Sequence, residues 1–268
     1  MNKITSLKVK AHAKINLNLT IKGRRADGYH DIDTIMRTVA LCDTVRVTLR
    51  DDNLVGLSVI GEDIPLDGEN TAIIAHNAFC DALGVKLGAD ICIDKAIPSG
   101  AGLGGGSADA AAVLCALNEL CGFPLSAEKL RQTAETVGAD VPFLITGGTA
   151  RCVGIGEEIT PIEISIPEFI LIAMGNIPTS TKAAYDKFDE NPDVAKNQKD
   201  ELFYNVFEEL TDLEDVKTLK TVMIDSGADA ASMTGSGSAV YGLFSEKEKA
   251  QECCDILRRA GFWAVLTS

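Results

Sequence analysis

From Val9 to Ile21 apolar and polar positions alternate without a break. Val9, Ala11, Ala13, Ile15, Leu17, Leu19 and Ile21 share one side; Lys10, His12, Lys14, Asn16, Asn18 and Thr20 share the other. A period of two belongs to a strand, and one polar face predicts a half-buried strand. Shorter apolar stretches predict strands at 35–40, 44–49 and 55–59. Residues 70–83 change to a helical period and stop at Gly84. A strand follows at 91–97, then a helix rich in small residues over 108–120, closed by Gly122 and Pro124. Ser126 opens a further helix to about residue 137, ending at Gly138.

The second half predicts strands at 149–153 and 163–173, a helix carrying Tyr185 and a polar surface loop over 186–200. Helices at 201–210 and 213–226, strands at 230–233 and 239–244, a helix at 245–260 and a strand at 262–266 complete it. There is no tandem repeat. The break between halves falls near 155–165, which divides the chain into 1–158 and 159–268. A mixed-sheet α/β domain followed by an α+β sandwich gives an α+β class overall.

Between the strand at 91–97 and the helix at 108–120 lies Pro98-Ser99-Gly100-Ala101-Gly102-Leu103-Gly104-Gly105-Gly106-Ser107-Ala108, with five glycines among eleven residues. Strand, glycine loop and helix start together offer bare backbone N–H groups and a partial positive charge, which suits an anion such as phosphate. Gly100, Gly102 and Gly105 match a dinucleotide-binding spacing, but the acidic strand end that such a fold needs some 20 residues later is replaced by the turn Gly122-Phe123-Pro124. The loop also lacks the lysine of a Walker phosphate loop. It is a phosphate cradle of another kind, and its cation comes from elsewhere. Ser107 is placed to cap the helix, and Asp109 to complement its first turn. A second glycine turn, Met233-Thr234-Gly235-Ser236-Gly237-Ser238, lies between two late strands.

Charge narrows the partners. The net charge of −14 argues against nucleic acid and anionic membranes, and no apolar run is long enough to span a bilayer. The first ten residues carry no secretory-type apolar core, so a cytoplasmic location is expected, with the eight cysteines as reduced thiols. Composition leaves the oligomeric state open.

Three further groups carry candidate chemistry. Lys14 and Asn16 point the same way on the first strand, two residues apart; they can reach one ligand, or simply form a solvated face. Arg24, Arg25, Tyr29 and His30 crowd a loop over 23–31, where a ring and an imidazole can contact a base or sugar, or pack on the surface. Asp140 precedes Val141-Pro142, in a turn or at a new helix start, where an Asp can be no more than a cap.

The polar-faced first strand, PSGAGLGGGSA and MTGSGS, in this order and over nearly the whole chain, resemble the small-molecule kinase superfamily of galactokinase, homoserine kinase, mevalonate kinase and phosphomevalonate kinase, the GHMP kinases. AKINLNL, GRRADGYHDI, PSGAGLGGGSADAA, GADVPF and TGSGS are similar, more narrowly, to its branch acting on a cytidine-diphosphate-linked methylerythritol. The resemblance implies a two-domain GHMP fold with Pro98–Ala108 binding ATP, Mg²⁺ accompanying the ATP, and phosphorylation of the substrate's 2-hydroxyl on the methylerythritol phosphate route to isoprenoid precursors. It implies that Asp140 is the catalytic base and Lys14 its partner. It places Asn16, Tyr29 and His30 at the cytidine end, with Thr181 and Tyr185 completing the pocket. It also implies that TGSGS closes around the phosphates. Ser107 either touches the metal or caps its helix. A kinase for another alcohol, such as mevalonate or homoserine, and a non-catalytic nucleotide-binding regulator are the alternatives.

Overall fold

The alternating stretch is one long strand, β1 (Ser6–Arg24), followed by β2 (His30–Arg50), β3 (Val55–Ile60), α1 (Thr71–Leu83), β4 (Gly88–Asp94), α2 (Gly105–Leu120), α3 (Ala127–Glu135) and α4 (Val141–Thr146). Then come β5 (Thr149–Gly154), β6 (Glu158–Pro161), β7 (Phe169–Met174), α5 (Thr181–Asp189), α6 (Pro192–Lys196) and a 3-10 helix, Val206–Leu210. The chain closes with α7 (Glu214–Asp225), β8 (Ala230–Met233), β9 (Val240–Phe244), α8 (Lys247–Arg259) and β10 (Trp263–Thr267). This computed structural model describes residues 5–175, 177 and 179–268. In the sequence, Ile177-Pro178-Thr179-Ser180-Thr181 reads as a loop rich in hydroxyls before the helix that carries Tyr185; its Pro178 lies outside the described residues.

The chain forms two compact units, each drawn from three separate stretches of sequence. One comprises 1–13, 41–98 and 104–147; the other comprises 14–40, 99–103 and 148–268. The strands β1 and β2 pair with each other and each contribute to both units, so compactness does not follow a single cut at residue 158. The sequence pattern could not show this, because a 21-residue strand that changes unit midway reads as two strands, 35–40 and 44–49.

In the first unit the later half of β2 pairs antiparallel with β4, from Thr44 opposite Asp94 to Arg50 opposite Gly88. The strand β4 pairs parallel with β3. Parallel neighbours need a crossover, and α1 supplies it. Asn70 caps α1 by accepting from Ala72 N–H at 2.9 Å, and Gly84, at φ 66°, ends it. Phe79, Ile91, Ile93, Leu114, Leu117 and Phe143 fill the core. The alanines of α2 allow α1 and α4 to pack close against it. Truncating a residue such as Leu114 to Ala would cost about 2–5 kcal/mol.

The second unit holds the early half of β2 paired with β5, and β5 with β6, both antiparallel. It also holds a separate four-stranded antiparallel sheet in the order β10-β7-β9-β8. The helices α7 and α8 cover that sheet and close a core of Leu171, Val216, Leu219, Met223, Phe244, Cys253 and Leu257. Leu19 and Ile21 from β1 join this core.

Several elements differ from the sequence reading. Both faces of β1 are buried from Ala13 to Ile21, so its polar face is not solvated. The strand before the glycine loop ends at Asp94 rather than 97, because the Ala96 and Ile97 N–H groups bond the side chain of Asp43 instead of a neighbouring strand. The strand expected from 163 begins only at Phe169, and β6 was unexpected. The loop expected at 186–200 contains the end of α5 and all of α6. The helix expected at 201–210 is reduced to the 3-10 turn, since Phe203, at φ 66°, takes a left-handed conformation that a helix cannot contain.

Candidate active site

The helix α2 begins at Gly105, with Gly104 as its N-cap in a left-handed conformation, φ 73°. Such a cap has no side chain over the helix start, so the N–H groups of the first turn point outward without an intrahelical partner. This is the backbone geometry that the anion cradle expected from the sequence would need. Ser107, in contrast, is not the cap. It lies inside the first turn, because the helix starts three residues earlier than small-residue periodicity suggests. Its Oγ faces Gly138, where an added Cβ would lie 3.9 Å away. The Thr71 hydroxyl, at the start of α1, donates to Gly106 O at 2.7 Å and steadies the loop.

Asp140 occupies the N-cap position of α4, with Pro142 in the first turn, but its carboxylate makes no capping bond. The structure thus removes the simplest alternative for this residue.

Asp109 is also corrected. It does not complement the helix start from the surface but is 2% exposed, and its Oδ2 accepts from Lys95 Nζ at 2.7 Å. Lys95 Nζ also donates to Asp43 Oδ2 at 2.5 Å. Asp43 Oδ1 accepts from Ala96 N–H at 2.6 Å and Ile97 N–H at 2.8 Å. The ammonium lies under Gly105, 3.4 Å from where a Cβ would stand. Burial pushes the Asp109 carboxyl up to about 7, against the opposing pull of Lys95. For Lys95, burial alone would lower the pKa, but Asp109 and Asp43 outweigh it and raise the ammonium above its usual range. Sequence reasoning missed this cluster. Its one signal was a lone acid in a run of alanines, 108–112, where a buried partner is needed.

In the second unit Lys14 is 4% exposed, and its Nζ donates to Asn16 Oδ1 at 2.8 Å. Asn16 Nδ2 donates to Thr34 Oγ1 at 2.8 Å, and its Oδ1 also accepts from Gly235 N–H at 3.0 Å. Asn16 N–H donates to Thr234 Oγ1 at 3.0 Å. So β1 carries its cation on an amide that is itself bolted to the second glycine turn. Residues 99–103 lie against the same turn. Ala239 N–H donates to Ala101 O at 3.1 Å, and Lys14 N–H donates to Leu103 O at 3.0 Å. Gly102, at φ 79°, has no room for a side chain: a Cβ would overlap the Thr234 carbonyl oxygen and sit 3.1 Å from that of Gly237.

The base-contact candidates divide. Tyr29 is 62% exposed. His30 is buried and stacks on Tyr185, with centroids 4.6 Å apart and 19° between planes. Its Nε2 lies 2.7 Å from Asp189 Oδ1, and Asp189 Oδ2 lies 3.0 Å from Arg24 Nη1. Thr181, the first residue of α5, has its hydroxyl 3.1 Å from that of Ser236. The structure therefore brings His30 to Tyr185 and Thr181 to the second glycine turn. Asp189 was missed, because a charged residue in a polar segment carries no distinguishing pattern.

Comparison with known proteins follows the same lines. The family profile for the GHMP kinases N terminal domain matches residues 70–148, and that for the GHMP kinases C terminal matches 213–262. A 4-diphosphocytidyl-2-C-methyl-D-erythritol kinase of Geobacter metallireducens is 38% identical, over 97% of this chain and 97% of its own. One from Caldicellulosiruptor saccharolyticus is 39% identical, over 93% and 92%. A crystal structure of 4-(cytidine 5'-diphospho)-2C-methyl-D-erythritol kinase superposes with a TM-score of 0.77 at 30% identity, covering 98% of this chain and 99% of that one.

Proposed function

Because the chain belongs to the 4-diphosphocytidyl-2-C-methyl-D-erythritol kinases within the GHMP kinases, we propose that it moves the γ-phosphate of ATP to the substrate's 2-hydroxyl with Asp140 as base and Lys14 as the accompanying cation. The chain is a small-molecule kinase of isoprenoid precursor synthesis. Its relatives favour this activity over a mevalonate or homoserine kinase and over a non-catalytic regulator.

Phosphoryl transfer asks a protein mainly for positioning and for charge to balance the transferring group. The cradle at Gly104–Ser107 supplies N–H donors to phosphate oxygens. Asp140 takes the hydroxyl proton as the new O–P bond forms. Lys14, held in one rotamer by Asn16, supplies positive charge without the cost of ordering a free side chain. Tyr29 stacks on the cytosine, His30 bonds its polar edge, and Thr181 and Tyr185 close the pocket. What supports the reading of Asp140 is its place in the GADVPF motif, which resembles the family's, in a chain whose relatives are kinases over nearly its full length.

Mg²⁺ belongs to the same proposal. Among the described residues no group of three or more His, Cys, Asp or Glu could hold a metal. Mg²⁺ in kinases is held largely by phosphates and water with few protein groups, so the donors here fit. The Ser107 hydroxyl, relieved of capping, would hold it together with the ATP phosphates. When bound, the ion neutralises developing phosphate charge. We place the reaction in the cytoplasm.

The test is ADP release by the purified protein with this substrate. Asp140→Asn is expected to lower kcat by about 10²–10⁴ with KM little changed. Tyr29→Ala is expected to raise KM with kcat kept. Full activity in Asp140→Asn would remove Asp140 from the mechanism, and an unchanged KM in Tyr29→Ala would remove the base stack.

A further inference from the structure

Asp189 is the last residue of α5, where the helix dipole disfavours a carboxylate. Its geometry supplies another reason for its presence. One oxygen meets Arg24 Nη1 at 3.0 Å and the other meets His30 Nε2 at 2.7 Å. A carboxylate paired to a guanidinium can only accept a hydrogen bond, so the imidazole proton sits on Nε2. The ring cannot turn to evade this. It is stacked on Tyr185 and meets Phe188 edge-on, with centroids 6.1 Å apart and planes at 88°. Nδ1 is then a bare lone pair in a fixed plane; among the described residues no protein group bonds it.

We propose that Arg24 and Asp189 set the pyrimidine specificity of this kinase by holding His30 as the Nε2–H tautomer. His30 Nδ1 then accepts from the 4-amino group of cytosine. The 4-oxo group of uracil, itself an acceptor, meets a lone pair and is rejected. The opposite tautomer, or a freely rotating ring, would present a donor and lose the discrimination. Asp189 and Arg24 are positioning residues that act through His30. The inference rests on the reading above that His30 lies at the cytidine end.

Two measurements test it on the full-length protein. The first is the ¹⁵N–¹H correlation of imidazole nitrogens, which is simple to assign with three histidines in the chain. His30 should carry its proton on Nε2 in the wild type and in Asp189→Asn, whose amide oxygen still accepts. In Asp189→Ala it should show a mixture of tautomers. The second is the ratio of kcat/KM for the cytidine- over the uridine-diphosphate-linked methylerythritol. It should fall roughly tenfold or more in Asp189→Ala, mainly through KM, and recover in Asp189→Asn. Arg24→Ala, at an exposed position, should shift the ratio the same way by less, and serves if Asp189→Ala folds poorly. A wild-type His30 protonated on Nδ1, or an unchanged ratio in Asp189→Ala, would overturn the proposal. His30→Ala separates the two levels. If it leaves the ratio intact, His30 does not contact the base and the underlying reading fails. If it collapses the ratio while Asp189→Ala does not, only the role of Asp189 fails.

Discussion

Lys95 and Asp109 form a buried ion pair, Nζ to Oδ2 at 2.7 Å, at the foot of the helix that follows the glycine loop. Asp43 shares the ammonium, so two carboxylates balance one cation and the cluster carries a net negative charge when all three ionise. Asp109 Oδ1 is buried with no hydrogen-bond partner, which is why burial dominates its titration.

This gives a pH-dependent cost with a defined sign. The Asp109 carboxyl titrates near 3.8 when unfolded and is pushed up to about 7 when folded. Below the lower value both states hold the proton and there is no difference. As pH rises through the window the unfolded chain releases its proton first, so folding loses stability, and above about 7 the loss is complete. Lys95, raised from 10.5, does not titrate within that window. Asp109→Asn keeps the shape without the charge and leaves Lys95 its partner Asp43. The variant should match the wild type near pH 4 and exceed it at pH 8 by at least about 1 kcal/mol. Urea unfolding at several pH values measures it, and a difference that does not change with pH would refute it.

Gly102→Ala tests the contact between the two glycine turns. The residue adopts φ 79°, and an added Cβ would overlap the Thr234 carbonyl oxygen. Neither strain nor overlap can be relieved by rotating a side chain. A loss on the order of 2–3 kcal/mol is expected, with a raised KM for ATP as the cradle shifts. The same substitution at Gly122, where nothing lies within 4 Å of the added carbon, keeps the backbone strain but not the overlap, so it should cost less and leave KM unchanged.

Asn205→Ala probes the support of the second glycine turn from its other side. The buried amide donates to Met233 O at 2.8 Å and to Gly235 O at 2.9 Å, and its oxygen accepts from Phe207 N–H at 3.0 Å. Removing it strands three backbone groups, at about 1–3 kcal/mol for each one left unsatisfied. A clear fall in Tm is expected, whereas Asn191→Ala, an exposed amide with one bond to Lys187 O, should fall far less. Equal losses would show that the turn does not depend on Asn205.

How legible was this molecule in its sequence? The strand, glycine loop and helix start were, because glycines between an apolar alternation and a small-residue helical run leave few other arrangements. The period-two strand was as well, but its solvation was not: Lys14, Asn16, Asn18 and Thr20 are buried because later segments cover them. Asn18 Nδ2, for example, donates to Glu201 O, 183 residues away. Local pattern carries no information about such cover. The same holds for Asp43, Lys95 and Asp109, which are separated along the chain and meet only through β2, β4 and α2. Asp140 and Tyr29 were named through family motifs, since their local sequence suits a cap and a surface ring equally well.

Ser107 offers the sharpest separation of a structural from a chemical role. Had it capped α2, Ser107→Ala would cost about 1 kcal/mol. Gly104 is the cap, so the substitution should change stability by less than about 0.5 kcal/mol. If the hydroxyl holds Mg²⁺ beside the ATP phosphates, the variant should need more Mg²⁺ for half-maximal rate, with KM for the cytidine substrate unchanged. Titrating Mg²⁺ at saturating ATP, alongside thermal unfolding, reads both effects in one preparation. Lost stability with an unaltered Mg²⁺ requirement would return Ser107 to a purely structural role.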